Sequence, residues 1–461
     1  MKINKIEELP ESFKDKKVCI MGLGYVGLTL AVTLAEIGFD VLGIEINEEI
    51  LKKLNKGIPH FFENGLDGRL ESVIKSKKLR VLKKIPKVCE SSVFIITVGT
   101  PIDKKNRVNK KMITNVCNEI SEHLKENNLV ILRSTVEVGT TKRLKKEILK
   151  KRKINFDIAF CPERTIEGKA MIELRKLPQI IGTNNMTTSS RLSQFFSFLT
   201  PTVVRVSSYE TAELIKLVDN CQRDVNFALS NEIAEISDKL DVSAFEVIDA
   251  GKLGYPRTNL PLPGPVGGPC LEKDSYILES TLKKTKYFPK IIMNSRLVNK
   301  NQPKESVKSL KKLSTVILGK RNPLITIAGM AFKGIPETND LRGAMSKPIF
   351  EEVLKNFRNS QIKIFDKIVN EDAIRTFLNC KNFFFTSSLQ KAFKNTSIFI
   401  ICNNHPLFSS MPITNLAKMM VGPGIIFDYW NNFSNQKIIL PKGIHYVGLG
   451  GLGKKLESLK K

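Results

Sequence analysis

The chain has no C-x-x-C pair; its eight cysteines, at positions 19, 89, 117, 161, 221, 270, 380 and 402, are scattered singly. Such spacing predicts neither a disulfide framework nor a zinc knuckle, and no metal is expected. An export signal is also lacking, because the opening MKINKIEELPESFKDKK alternates charge and hydrophobe without an apolar core. No stretch approaches the ~18 uninterrupted apolar residues of a membrane-spanning helix. Thiols without an export signal predict a reducing, cytoplasmic setting. Acidic residues are few against basic ones, 46 to 73, which leaves a formal net charge of +27. Nucleic-acid binding would gather the basic residues on one element with aromatics between them. Here they run through the whole chain in short patches. The expectation is a solvated Lys-rich and Asn-rich surface that attracts small anions, with no nucleic-acid and no membrane partner.

With 461 residues, 42% hydrophobic and 26% charged, the chain is globular and too long for one core. An apolar strand, Val18 to Met21, runs into a glycine turn and then an apolar helix from about Leu28 to Ile37. Gly38 caps that helix, and a second strand follows from Val41 to Ile44. Further strands at 93–98 and 129–132 predict a doubly wound parallel sheet to about residue 200. From Ser207 to about Leu240 the pattern turns helical; a Gly/Pro-dense loop at 254–270 interrupts it, and helix resumes to about Leu318. Strand and helix then alternate again, with strands at 324–329, 362–365 and 397–402 and a last one near 424–427. The closing GLGKKLESLKK is predicted to fray.

Between the first strand and helix, G-L-G-Y-V-G places Gly22, Gly24 and Gly27 at the spacing of a pyrophosphate-binding turn, with Tyr25 and Val26 inside it. Glu45 ends the next strand. A carboxylate there would accept ribose hydroxyls and repel a 2′-phosphate, which predicts NAD over NADP. Two later strand ends carry T-V-G-T-P and R-S-T-V-E-V-G-T-T, making Thr100, Pro101 and Thr135 candidates to line the cofactor, or simple turn residues. In F-C-P-E-R-T-I-E-G, Glu163 and Glu167 are expected to share one face if a helical turn follows Pro162. Lys216 and Asn220 lie at i, i+4 on a helix. They can stabilise an oxyanion, although a lysine there can equally snorkel to water. Cys270 closes the Gly/Pro-rich loop in G-P-V-G-G-P-C-L-E-K-D, with Asp274 expected on the first turn of the next helix. A helix N-terminus and a nearby lysine favour the thiolate, so Cys270 is a candidate nucleophile, against the common alternative of an inert thiol.

Taken in order, these segments resemble the UDP-glucose/GDP-mannose dehydrogenase family from about Val18 to Phe433. The resemblance implies an α/β protein of two Rossmann-like doubly wound domains joined by a central helical domain. It implies an NAD-binding domain over 1–206, a dimerising helical domain over 207–318 and a UDP-sugar-binding domain over 319–461. The implied reaction uses two NAD per sugar: alcohol to aldehyde, thiohemiacetal on cysteine, thioester, then hydrolysis to the uronate, as a precursor of surface polysaccharide. Carried over by motif, Cys270 is the nucleophile, Lys216 and Asn220 stabilise the oxyanion, Asp274 orders water or acts as base, and Glu163 assists hydrolysis. Thr135 would touch the nicotinamide or the water. Glu167 and Arg342 join the cofactor contacts; Gly267, Phe332 and Lys333 join the substrate contacts. Arg257 resembles an arginine that reaches the partner subunit's site in a homodimer. Trp430 stands where many members carry an arginine.

The segment around Asn220 and Arg223, the P-E-R of Glu163, and N-N-H-P-L-F around His405 resemble the N-acetylhexosamine branch. The substrate expected is therefore UDP-N-acetylglucosamine or UDP-N-acetylmannosamine, with UDP-glucose second. A two-electron β-hydroxyacid-type dehydrogenase would share the glycine turn and the Lys216/Asn220 helix without needing Cys270. A non-catalytic NAD or nucleic-acid binder would rest on charge alone.

Overall fold

The structure, a computed structural model, describes residues 9–103, 105–319, 321–433 and 438–459. The chain divides into two compact units, one of Met1–Asp219 and Tyr276–Phe288, the other of Asn220–Ser275 and Pro289–Lys461.

The first unit is built on eight strands: β1 (Lys17–Met21), β2 (Asp40–Ile44), β3 (Leu79–Leu82), β4 (Val93–Ile96), β5 (Leu129–Leu132), β6 (Asp157–Phe160), β7 (Gln179–Gly182) and β8 (Val203–Val206). They lie in the order β3-β2-β1-β4-β5-β6-β7-β8. Its central strands are apolar at every position because helices cover both faces. Side chains alternate accordingly: Val18, Ile20, Val93, Ile95, Leu129 and Ile131 enter one core, while Cys19, Met21, Phe94, Ile96, Val130 and Leu132 enter the other. The expectation of a wholly parallel sheet is corrected, since β7 meets β6 antiparallel and β8 then pairs parallel with β7.

The second unit carries β9 (Ile325–Ala328), β10 (Ile362–Phe365), β11 (Phe384–Thr386), β12 (Ile398–Ile401), β13 (Gly424–Asp428) and β14 (Ile444–Gly448), all parallel, in the order β11-β10-β9-β12-β13-β14. The sequence of turns is that of the first six strands of the other sheet. In each sheet the winding reverses once, at β1/β4 and at β9/β12, and such a reversal opens a crevice beyond the carboxyl ends of the strands. Four central helices complete the fold: Tyr209–Lys239, Ala244–Lys252, Gly268–Leu282 and Lys290–Leu318. The α/β class with two Rossmann-like sheets and a helical middle is borne out.

Beyond residue 427 two expectations fail. The strand near 424–427 is not the last, because β14 adds an edge to the sheet. The tail predicted to fray forms the Leu452–Ser458 helix. Leu452 is fully buried and Leu456 and Leu459 pack on the same core, so an apolar i, i+4, i+7 stripe among lysines fastens it. Gly453 donates its backbone N–H to Asp238 Oδ1 at 3.1 Å, and Ala244 donates to the Gly450 carbonyl at 2.9 Å. Among the described residues no helix is long and apolar enough to cross a membrane.

Candidate active site

In the first unit the glycine turn leaves β1 and enters the Tyr25–Ile37 helix. Gly22 has φ +92° and lies so near the loop after β4 that a Cβ would stand 2.9 Å from Val98. At Gly27 a Cβ would press into the Gly22 carbonyl oxygen, whereas at Gly24 it would meet nothing within 4 Å. Two glycines thus permit close packing, and the third leaves an open approach to backbone N–H groups at a helix N-terminus. Glu45 is buried at the end of β2. Its Oε2 accepts the Leu23 N–H at 3.1 Å and its Oε1 accepts the Asn47 N–H at 2.9 Å, so the carboxylate is fixed beside the turn. An open glycine, oriented N–H groups and a fixed acid at the neighbouring strand end fit a dinucleotide such as NAD.

Thr100 and Thr135, on the loops after β4 and β5, are brought together by a hydrogen bond from Thr100 Oγ1 to the Thr135 carbonyl at 2.6 Å. Pro101, next to Thr100, is exposed. Glu163 and Glu167 do not share a helical face, which corrects the expectation. Glu163 Oε1 accepts from the N–H groups of Arg164 at 2.7 Å and Thr165 at 2.8 Å, a local turn that competes with helix. Helix begins only at Ala170. The other oxygen of Glu163 accepts Arg133 Nε at 3.1 Å and Nη2 at 2.6 Å. Burial pushes its carboxyl up, but Arg133, the Thr165 N–H and the nearby charge of Lys216 outweigh burial and hold it below the ordinary range. A carboxylate committed in this way is an anchor and a poor proton acceptor. Glu63 provides a second anchor: one of its oxygens accepts from the Tyr25 hydroxyl and from the Gly168 N–H, tying the glycine turn to the loop that holds Glu167.

The second unit holds the nucleophile candidate. The Gly268–Leu282 helix places Cys270 in its first turn and Asp274 in its second, so the expectation of Asp274 in the first turn is corrected by one turn. The four-residue spacing puts both on one helical face. Asp274 is fully buried; its Oδ2 accepts Asn220 Nδ2 at 2.6 Å and its Oδ1 accepts Lys273 Nζ at 2.6 Å. Lys216 stands one turn before Asn220 on the Tyr209–Lys239 helix. Among the other thiols, burial pushes Cys221 up to about 11 and Cys117 and Cys161 up to about 12, and raises Cys19 and Cys402 as well. Burial therefore disfavours the nucleophilic thiolate at those five positions. Cys270 is partly exposed.

The same unit brings the substrate candidates to the thiol's turn. Gly268 has φ +91° and lies under the Phe332 ring, where a Cβ would stand 2.5 Å from Cδ2. The Lys333 ammonium lies 5.3 Å from that ring's centroid. The Gly268 N–H donates to the Gly343 carbonyl at 2.8 Å, and Gly267 abuts the same oxygen. Lys333 also lines a crevice at the β9/β12 reversal with Gly329, Asp366, Asn403 and His405. Trp430 lies against Gly264 of the same loop and donates Nε1–H to the Cys402 carbonyl at 2.9 Å. Arg342 is bound to Asp340 through both carboxylate oxygens, its Nε donating to Oδ1 at 3.0 Å and its Nη2 to Oδ2 at 2.6 Å. Arg223 is exposed, and Arg257 is exposed with its guanidinium stacked 4.4 Å from the Tyr255 ring centroid.

Residues 16–200 match the NAD binding domain of the UDP-glucose/GDP-mannose dehydrogenase family, residues 210–301 its central domain and residues 326–435 its UDP binding domain. The chain belongs to this family. As a member it is an NAD-dependent oxidoreductase acting on a nucleotide sugar. It is 29% identical over 442 residues to a UDP-N-acetyl-D-mannosamine dehydrogenase of Methanocaldococcus jannaschii, covering 94% of this chain and 96% of that one. To the enzyme of the same name from Campylobacter jejuni it is 34% identical over 352 residues, covering 74% and 83%. The structure of a UDP-D-ManNAc dehydrogenase from Pyrococcus horikoshii superposes with a TM-score of 0.83 at 28% identity, over 95% of this chain and all (100%) of that one.

Sequence reasoning missed Arg133 and Glu63, both buried. Arg133 opens the R-S-T segment quoted above without a role of its own there, Glu63 stands in no motif, and only burial and partners mark either one. Among the described residues no group of three or more His, Cys, Asp or Glu side chains is arranged to hold a metal.

Proposed function

We propose that the chain oxidises the C6 alcohol of a UDP-N-acetylhexosamine, UDP-N-acetylmannosamine first, to the uronate through a covalent intermediate on Cys270. Bound NAD supplies the hydride acceptor, and two are consumed per sugar. The observation that carries the reading is the setting of Cys270: a partly exposed thiol in the first turn of a helix, one turn from a buried carboxylate already paired with Asn220. Lys216 and Asn220 are assigned as donors to the alkoxide that precedes the first hydride loss. The Cys270 sulfur then adds to the aldehyde carbon, and the thiohemiacetal gives the tetrahedral carbon from which the second hydride leaves. Water cleaves the resulting thioester, ordered by Asp274. Glu163 is assigned a positioning part, acting on Lys216 through its charge.

On the cofactor side we assign the glycine turn with Tyr25 and Val26, then Glu45, Thr100, Pro101, Thr135 and Glu167. Arg342 can join them only by leaving Asp340. On the substrate side we assign Gly267, Phe332, Lys333, Arg223 and, in a homodimer, Arg257 toward the partner's site. We divide the chain at 206 and 318 into cofactor, dimerising and substrate domains, and place the enzyme in the cytoplasm.

Support for the N-acetylated sugar comes from the names of the relatives and from His405. Its Nδ1 accepts the Leu407 N–H at 3.0 Å, which directs Nε2 to the Glu337 carboxylate 3.1 Å away, beside Lys333. A polar pocket built for an amide rejects a sugar that lacks it by a few kcal/mol, on the order of a hundredfold in kcat/KM. Purified protein with NAD and a panel of UDP-sugars, followed by NADH absorbance, should turn over UDP-N-acetylmannosamine with the highest kcat/KM. Efficient turnover of UDP-glucose alone would overturn the sugar assignment.

A further inference from the structure

The turn that presents Cys270 is short, rich in glycine and held at both ends by one side chain. Arg296, on the Lys290–Leu318 helix, is buried. Its Nη1 donates to the Leu271 carbonyl at 3.2 Å and to Asp224 Oδ1 at 2.7 Å, while Nη2 donates to the Val266 carbonyl at 3.3 Å. Val266 and Leu271 are the residues immediately before and after Gly-Gly-Pro-Cys. Asp224, also buried, stands one turn beyond Asn220 on the Tyr209–Lys239 helix. Asn299 Nδ2 donates to both its carbonyl and its Oδ1, at 2.8 Å each. Farther back in the same loop, Gly264 exchanges two hydrogen bonds with Asn231 of the Tyr209–Lys239 helix, at 2.9 and 3.0 Å, and Asn231 donates to Asn299 Oδ1 at 2.9 Å.

We propose that the Arg296–Asp224 pair positions the nucleophile: the guanidinium brackets the Gly267–Cys270 turn through the Val266 and Leu271 carbonyls and so fixes where the thiol stands relative to Asn220 and Asp274. This rests on the reading of Cys270 as nucleophile. The physical need is clear on two counts. A Gly-Gly turn has many backbone conformations, and holding one of them requires restraint at its ends. Buried carbonyls must also find donors. A planar fork serves the two carbonyls and the carboxylate with donors fixed in direction and spread over two nitrogens; an ammonium brings its three donors from a single point on a flexible stem, without that geometry. Asp224 completes the device. It holds the guanidinium from the helix that carries Asn220, so the thiol's turn and its amide neighbour are indexed to one helix. The opposite side of the turn is held by the Gly268 N–H on the Gly343 carbonyl, in the segment that also carries Phe332 and Lys333.

A plain ion pair that merely joins two helices would give a different result, and Arg296→Lys separates the cases. The full-length enzyme is compared with this variant for melting temperature, kcat, KM for NAD and for UDP-N-acetylmannosamine, and the rate at which iodoacetamide alkylates Cys270, read by peptide mass spectrometry. The expected result is a folded enzyme with KM for NAD within about twofold of wild type. Its kcat should be lower by about ten- to a hundredfold, as for a misplaced reacting group. Alkylation should be several-fold slower, because the thiol would no longer be held in place at the helix N-terminus that favours the thiolate. A lowered melting temperature with wild-type kcat and wild-type alkylation would overturn the proposal. Should Arg296→Lys not fold, Asp224→Asn keeps an acceptor for the guanidinium and loses the charge. There the same two rates should fall together by a smaller factor, and wild-type values for both would again overturn it. Should iodoacetamide label Cys270 of the wild-type enzyme without loss of activity, the nucleophile reading falls and the proposal with it. That failure shows in the wild type, before any Arg296 variant is made.

Discussion

Single residues divide the site into groups that meet the protein and groups that face a ligand. The three glycines of the first turn illustrate this. Gly27 lies against the Gly22 carbonyl and Gly22 against Val98, while the Cα of Gly24 faces open space. Gly27→Ala should therefore destabilise the first unit by at least ~1–3 kcal/mol, as overpacking does. Gly24→Ala should melt at the wild-type temperature and raise KM for NAD about tenfold or more, since the added methyl occupies the pyrophosphate's approach. Equal losses of melting temperature in the two variants, by scanning calorimetry, would contradict the division. Carboxylates divide in the same way. The sequence marks Glu45, Glu163 and Asp274 as acids near a site, and only their partners tell a committed anchor such as Glu163 from a group with acceptor capacity left, such as Asp274.

Whole elements were legible in the sequence where burial was complete. β4, β5 and β12 were readable because strands covered on both faces are continuously apolar, and the Tyr209–Lys239 and Lys290–Leu318 helices because few breakers interrupt them. The half-exposed β8 and the three-residue β11 carry no such run and went unread. The Leu452–Ser458 helix was missed for another reason: its lysines read as solvated, while its anchoring lies far off in sequence, at Asp238. That anchor titrates. Burial pushes the Asp238 carboxyl up to about 6, Glu235 and Asp241 add to the rise, and the N–H groups of Gly453 and Leu452 oppose it. The folded state therefore holds this proton more tightly than the unfolded chain, whose aspartate titrates near 4. Its contribution is most favourable below about pH 4 and is lost as pH rises to about 6, by up to roughly 3 kcal/mol. Asp238→Asn keeps an oxygen acceptor and removes the charge. Its stability relative to wild type, from urea titrations, should climb between pH 4 and 6 and then level. A difference that stays flat with pH would contradict the assignment.

Across the whole molecule, one construction serves two units. Each sheet reverses beside its first strand, and each has a glycine there pressed on the loop across the reversal, Gly22 on Val98 and Gly329 on Asn403. Each also has an acid at the end of the neighbouring strand that accepts the next backbone N–H, Glu45 from Leu23 at 3.1 Å and Asp366 from Met330 at 2.7 Å. The sequence showed strand and helix alternating at both ends without this detail, because Gly329 and Asp366 stand in no pattern like G-L-G-Y-V-G. A surface feature belongs to this scale as well: Leu229, Ile236 and Leu240 leave an apolar stripe exposed on or just past the Tyr209–Lys239 helix, with Val247 and Leu253 beyond it. In the homodimer proposed above, a second copy would have such a face to cover. If Arg257 completes that copy's site, Arg257→Ala and Cys270→Ala subunits, each impaired alone, should regain activity when refolded together. The mixed dimer then holds one site with both native residues. No regain in a mixture shown to form heterodimers would contradict sharing.

The central claim is that Cys270 makes this a four-electron enzyme. The direct measurement is the amount of NADH formed per UDP-sugar consumed, with uronate quantified in the same reaction, for the wild type and for Cys270→Ala. The account predicts two NADH and one uronate per sugar in the wild type. It predicts no steady-state uronate from Cys270→Ala beyond the slow leak allowed by hydration of a bound aldehyde, although that variant still binds UDP-sugar. One NADH per sugar in the wild type, or full uronate production without the thiol, would contradict it.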